Sequence, residues 1–298
     1  MNFKYKNFLQ KIFSKLPKGE IVNFMFQKYV TRALPVSNDA FLEKIRHANN
    51  HFLKFNEHNS LNKNSYKYYE FGAGWDLITP IAMGLLGFEV TCIDIRRLIF
   101  NHLIADTIRK FNNNIEQLPF NFNHIDLENN QNPLDYLKQK YNLNYVAPLD
   151  ARNTKFSSNS YDFVSSTSTL EHIHEQDIIP ILNETYRILK PGAILSMIID
   201  YQDHWSYFDK SISIYNFLKY SDLEWEKFNP SLHFQNRLRH KDYLNIISKT
   251  NFKIMEDIPI PASDTEIKTL ENLKLNTKYT NYSIDELSIK CSHIILKK

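Results

Sequence analysis

The stretch Tyr68-Tyr69-Glu70-Phe71-Gly72-Ala73-Gly74-Trp75 decides how the chain must be read. It runs from an apolar, strand-like segment, Tyr66 to Phe71, into two glycines one residue apart. The chain has 298 residues and six glycines, and four of these (Gly72, Gly74, Gly84 and Gly87) crowd into this neighbourhood. Glycine lets a backbone turn sharply out of a strand and lets a ligand approach it closely. In a doubly wound sheet, the carboxyl end of the first strand is where nucleotide-like ligands bind.

Two ligand classes compete for such a turn. A dinucleotide loop reads G-x-G-x-x-G, but here the third position is Leu77, and the helix opening is postponed to Thr79 and Pro80. Thr79 is read as the helix cap and Pro80 as its first residue. A pyrophosphate favours a helix N-terminus, and Glu70 would repel it. The acid suits a cationic ligand carrying an amino group, and S-adenosylmethionine carries both an ammonium and a sulfonium.

Working outward, strands and helices alternate through residues 65–200, which predicts parallel pairing in a doubly wound α/β sheet. Strands are expected at Tyr66 to Phe71, Phe88 to Ile93, Asn144 to Pro148, Tyr161 to Ser166 and Ala193 to Ile199. Helices are expected from Thr79, over Leu98 to Phe111 and over Asp177 to Leu189, the last ended by Lys190-Pro191-Gly192. Residues 112–143 read as an Asn-rich insertion with a helix at Leu134 to Tyr141. Residues 1–64 read as a helical extension: a segment with Phe8, Leu9, Ile12, Phe13 and Leu16 at helical spacing, stopped by Pro17, then Ile21 to Leu34, then Ala40 to Phe55 with Ser37, Asn38 and Asp39 as capping candidates. Asn56 to Asn64 reads as a linker. Residues 201–251 form an aromatic-rich insertion closing in a helix, Lys241 to Thr250. Phe252 to Ile258 and Ser288 to Leu296 read as two last strands around an irregular polar stretch.

Three further acids and loops belong with the glycine turn. Asp94 closes the second strand, 20 residues after Gly74, near the spacing of about 20 expected for a ribose-binding carboxylate. Arg96 and Arg97 could instead pair with it. Asp150-Ala151 follows the third strand, where an acid can accept from an adenine amino group and the next N–H can reach a ring nitrogen. The fourth strand empties into Ser165-Ser166-Thr167-Ser168-Thr169-Leu170-Glu171-His172-Ile173. Arg187-Ile188-Leu189-Lys190-Pro191-Gly192-Ala193 follows.

Together these segments resemble the class I S-adenosylmethionine-dependent methyltransferase family, in its small-molecule and glycan branch. The resemblance covers about residues 66–200, with the last two strands matching the family's antiparallel pair. It implies a seven-stranded Rossmann-like sheet and S-adenosylmethionine as cofactor. Glu70, Gly72, Ala73 and Gly74 would hold its methionine part, Asp94 the ribose, Asp150 and Ala151 the adenine, while Thr167 and Leu170 would line the floor near the sulfonium. Ala193 replaces the usual second glycine. Trp75-Asp76 stands where a small residue often follows the turn, so the methionine end is expected to pack differently.

Methyl transfer to a hydroxyl needs alignment and proton removal. Candidates lie after strands four and five: His172 and His174, then Asp200, Tyr201, Asp203 and His204. His204 is favoured as general base, with a neighbouring carboxylate to orient its imidazole; His172 is second and Asp200 accompanies them. Tyr201, Asp203, Arg237 and Arg239 are substrate-binding candidates, the arginines gripping an anionic group unless they pair with Asp222, Glu224 or Glu226. The chain lacks the N/D-P-P-Y/F segment of base N-methylation and a catalytic cysteine near the site, since Cys92 is expected to be buried in strand two. O-methylation of a glycan or small hydroxylated acceptor, in polysaccharide biosynthesis, is the expected activity. A small-molecule N-methyltransferase and a non-catalytic cofactor-binding subunit are the alternatives.

Bulk properties bound the partners. Apolar residues make up 43% and charged residues 23%, and the net charge of +3 is too small for a nucleic-acid footprint. Two distant cysteines, Cys92 and Cys291, offer no metal-ligand spacing, so no metal is expected. No apolar run nears the roughly 18 residues that span a bilayer, which points to a cytoplasmic protein. Lys4, Lys6, Lys11, Lys15 and Lys18 make the N-terminus basic. Its helices are expected to act as a lid or to touch a membrane surface weakly.

Overall fold

Strands β1 (Lys67–Phe71), β2 (Glu89–Ile93), β3 (Leu143–Val146), β4 (Tyr161–Thr167), β5 (Leu189–Asp200), β6 (Lys253–Ile260) and β7 (Cys291–Lys297) build one sheet, ordered β3-β2-β1-β4-β5-β7-β6. The computed structural model describes residues 2–16, 19–30, 33–59 and 65–298. Pro17, Lys18 and the linker's residues 60–64 lie outside the described residues. The first five strands are parallel. β7 runs antiparallel to β5 and to β6. Strand order reverses between β1 and β4, and that switch opens a crevice at the carboxyl ends.

β1 and β4 are buried on both faces, which is why their sequences are continuous runs and do not alternate. One face is covered by α3 (Asn38–His58) and α4 (Ile78–Leu85), after α1 (Phe3–Lys15) and α2 (Gly19–Met25). Phe41, Ile45, Ala48 and Phe55 of α3 share a core with Tyr68, Val90 and Phe163. Burying each of the larger side chains is worth about 2 kcal/mol. Ser37 caps α3, accepting from Ala40 N–H at 3.2 Å. α5 (Asn101–Asn113) and α6 (Pro133–Tyr141) extend the same layer.

The other face packs on α7 (Glu175–Ile188), followed in the chain by α8 (Asp222–Trp225) and α9 (His240–Ile247). Ile178 and Leu182 of α7 meet Val164, Leu195, Tyr243 and Ile247. The segment after β5 forms its own cluster around Trp205, Tyr215, Phe217 and Trp225, which takes in Phe3 of α1.

Several expectations are corrected. α4 starts at Ile78, so Thr79 is not its cap and Pro80 is not its first residue. The cap position is Leu77, in left-handed backbone at φ 52°, and Asp76 Oδ1 accepts the Ile78 N–H at 3.3 Å. The segment expected at 21–34 is split: α2 ends at Met25 and a π-helical turn covers Phe26–Val30. Lys190-Pro191-Gly192 does not lie between a helix and a strand, because β5 already begins at Leu189. The polar stretch between the last strands carries α10 (Asp264–Glu271) and α11 (Ile284–Ser288), and β7 starts only at Cys291.

Candidate active site

The turn after β1 closes against β2 and β4. Gly72 N–H and Ala73 N–H both donate to Ile93 O, at 2.9 and 3.3 Å. Gly72 has φ +79°, and a Cβ there would lie 2.4 Å from the Thr169 side chain. Gly74 has φ +73°, and a Cβ there would meet nothing within 4 Å. The first glycine is therefore demanded by the β4 loop and the second borders open space.

Two carboxyls stand beside that space. Glu70 is buried and accepts from the Tyr68 hydroxyl at 2.8 Å, which in turn pairs with Ser165 at 2.6 Å. Burial lifts its pKa to about 8, against the Tyr68 hydrogen bond and with help from Asp94. Asp94 Oδ2 accepts from Gly74 N–H at 2.9 Å. Burial pushes Asp94 up to about 7, opposed by that hydrogen bond. Charging either group in isolation is unfavourable, so the pair is primed to gain from a cation.

The remaining cofactor candidates differ in availability. Asp150 is half-exposed and chelates Arg152: Oδ1 accepts the backbone N–H at 2.9 Å, and Oδ2 takes Nη2 at 2.6 Å. Arg152 also bridges to Asp177 at 2.7 Å, and its guanidinium holds Asp150 below the usual carboxylate range. Ala151 is partly buried beside it. Thr167 Oγ1 lies 3.0 Å from His51 Nε2 of α3, tying the β4 end to that helix. Leu170 is buried in the core beneath the loop. Trp75 stacks on Phe24 of α2 and on Phe100, with centroids 5.8 and 6.3 Å apart. Asp76 pairs with Lys44 of α3 at 2.5 Å. Sequence reading missed Lys44 and Phe24, which come from helices remote in the chain.

The carboxyl ends of β4 and β5 bring a second group together. The rings of His172 and His204 are 4.9 Å apart. His204 Nε2 lies 3.2 Å from Asp200 Oδ2, and Tyr207 donates to the same oxygen. Burial opposes charge on Asp200, but His204, Tyr207 and the Gln202 N–H outweigh it and keep the carboxyl below its ordinary value. His172 Nδ1 is 2.7 Å from Phe234 O. A carbonyl only accepts, so Nδ1 carries the proton and Nε2 the lone pair. Desolvation by neighbouring groups, with His204 close by, pulls His172 down to about 4. Glu171 is buried beside them, and burial with the nearby Asp200 charge pushes its pKa up. Glu171, His172 and His204 bring ligand atoms within 4.8 Å of one another, close enough to share a metal ion. Glu171 stands inside the quoted loop and was legible as an acid, though not as a member of this cluster.

The four substrate-binding candidates are buried and engaged within the chain. Tyr201 is 1% exposed, with its hydroxyl on Ser292 at 2.5 Å. Asp203 is fully buried and caps the following turn, accepting from Trp205 N–H at 2.9 Å and from Asn216 at 3.0 Å. Arg239 is fully buried and donates to the carbonyls of Tyr201, Leu287 and Ile289. Arg237 donates to Phe217 O and Tyr220 O and pairs with Asp222. The chain after β5 folds back on itself with many strandless carbonyls, and these cations satisfy them.

Residues 123–197 match the family model described as a methyltransferase domain, and the sheet order with its antiparallel β7 is the one that resemblance implied. The chain carries a methyltransferase domain. No curated protein matches the methyltransferase in sequence. It is similar in fold to the PH0226 protein of Pyrococcus horikoshii OT3, with TM-score 0.51 and 14% identity over 91% of this chain and 97% of that one. A phosphoethanolamine N-methyltransferase 2 from Haemonchus contortus, in complex with S-adenosyl-L-methionine, aligns with TM-score 0.48 and 15% identity over 92% of this chain and 59% of that one. YcgJ from Bacillus subtilis aligns with TM-score 0.44 and 14% identity over 85% and 98%. Among its described residues, the methyltransferase has no helix long and apolar enough to cross a membrane.

Proposed function

We propose that the methyltransferase methylates a hydroxyl of a small molecule or glycan, as in polysaccharide biosynthesis, with His204 as general base. The supporting observation is the approach of His204 Nε2 to Asp200 at 3.2 Å, beside His172, at the carboxyl ends of β4 and β5. When Nε2, the nitrogen nearer the carboxylate, carries the proton, Nδ1 is left to accept the acceptor's proton. The acceptor oxygen attacks the donor's methyl carbon, the sulfur–carbon bond breaks, and S-adenosylhomocysteine leaves. Asp200 stabilises the imidazolium that results.

In this reading Glu70 and the turn at Gly72, Ala73 and Gly74 hold the methionine end, where the buried carboxyl meets the ammonium. Asp94 holds the ribose. Asp150 and Ala151 hold the adenine, with Arg152 sharing the carboxylate. Thr167 and Leu170 form the floor. Residues 1–64 act as an extension of a catalytic domain of residues 65–298, with 201–251 inserted after β5. The contact of Phe24 on Trp75 and Phe100 supports a covering role for the extension.

The test is transfer of labelled methyl from S-adenosylmethionine to hydroxylated sugars and small phenols. His204→Ala is expected to lower kcat by about 10²-fold or more and to leave S-adenosylhomocysteine affinity unchanged in calorimetry. Full turnover in that variant removes His204 from the mechanism.

A further inference from the structure

α1 is amphipathic the wrong way round. A surface helix normally buries its apolar stripe and exposes its polar one. Here the buried face holds Lys6, Asn7 and Gln10 beside Phe3. Phe3 packs on Trp205 and Phe228, its N–H donates to Asp209 at 2.9 Å, and Asn7 donates to Lys227 O at 2.8 Å. The exposed face holds Tyr5 (59%), Phe8 (59%), Ile12 (41%) and Leu16 (44%), spaced by three or four residues. The next helical segment repeats the pattern with Ile21 (43%), Met25 (53%) and Tyr29 (67%). Phe24 between them is anchored inward on Trp75 and Phe100. The inward anchors hold the hairpin on the protein while seven large apolar side chains face out. Patches of this kind on a protein surface mark an interaction site.

The charge around the patch selects the occupant. The first 19 residues contain no acid and five lysines; Lys6 is turned inward over the Phe208 ring, while Lys4 is exposed and Lys11 half-buried beside the apolar face. A second copy of the chain would set this basic segment against itself across a two-fold interface, which like charges oppose. An anionic bilayer attracts it and takes the aromatic and aliphatic groups into the headgroup boundary. We propose that the outward face of α1 and α2 docks the methyltransferase onto an anionic membrane surface. α1 anchors on the segment after β5 and Phe24 of α2 on Trp75 of the turn after β1.

Full-length protein is pelleted with phosphatidylcholine vesicles and with vesicles containing roughly 30 mol% phosphatidylglycerol. Binding is expected only to the anionic vesicles, with a loss on raising NaCl to about 0.5 M. The double variant Phe8→Ser/Ile12→Ser is expected to weaken binding by about tenfold or more, and Lys4→Glu/Lys11→Glu to do likewise. Both variants should keep their thermal midpoint and their affinity for S-adenosylhomocysteine, which separates lost docking from lost folding. Full-length protein left in the supernatant with anionic vesicles overturns the proposal. So do variants that pellet like the parent, and so does a dimer in light scattering that Phe8→Ser/Ile12→Ser dissolves.

Discussion

Gly72 and Gly74 share a left-handed backbone, but their surroundings differ, and the difference is testable. A methyl at residue 72 strikes Thr169 at 2.4 Å, whereas at 74 it enters open space. Gly72→Ala combines backbone strain with a clash and should destabilise the fold by about 2–3 kcal/mol. Gly74→Ala carries only the strain, about 1 kcal/mol, but fills room beside Asp94. Its larger effect should be on affinity for S-adenosylhomocysteine. Thermal midpoints paired with calorimetry separate the two; equal midpoint losses would show that Thr169 yields and that Gly72 has no special role. The sequence pointed to both glycines together. It could not assign them different tasks, because Thr169 arrives from another strand.

Element by element, legibility followed burial. β1 and β4 were readable because both faces are covered and their runs are uninterrupted. Lys190-Pro191-Gly192 was misread as a stop because β5 enters the sheet through an irregularity. Leu189 pairs with Tyr161, yet Ile194 pairs with Phe163, so the intervening residues bulge from the ladder, with Gly192 at φ +78°. A Pro and a left-handed Gly fit a bulge as well as a helix end. α10 and α11 were overlooked although Ser263 with Glu266 and Ser283 with Glu286 form capping boxes. The carbonyl contacts of the arginines after β5 were not legible because composition does not show which carbonyls lack partners. Arg239 links the Tyr201 carbonyl to those of Leu287 and Ile289 and so pins this segment to the chain leading into β7. Arg239→Met should therefore strand three buried acceptors and cost about 3–5 kcal/mol. The urea midpoint should fall with an unchanged slope. A loss below about 1 kcal/mol would mean that water replaces the guanidinium and that the clamp is dispensable.

For the whole molecule, the cofactor half-site couples protonation to folding and to binding. Glu70 holds its proton up to about pH 8 in the folded chain, against an ordinary value of 4.5. The folded state therefore binds more protons than the unfolded one between those values. By linkage its contribution to stability is full below pH 4.5 and is lost as pH rises toward 8, by at most about 1.4 kcal/mol per unit. Glu70→Gln should flatten that decline in thermal midpoint. A ligand ammonium favours the carboxylate, so binding below pH 8 must release a proton. Affinity for S-adenosylhomocysteine should then rise with pH through the neutral range, by at most about tenfold per unit. Calorimetry in two buffers of different ionisation enthalpy should detect the released proton, and Glu70→Gln should abolish the share due to Glu70. Asp94, raised to about 7, adds a smaller contribution of the same sign that the variant keeps. Affinity independent of pH in the parent chain, with no proton released, would mean that the ammonium does not meet Glu70 and that the buried acid serves only its bond to Tyr68.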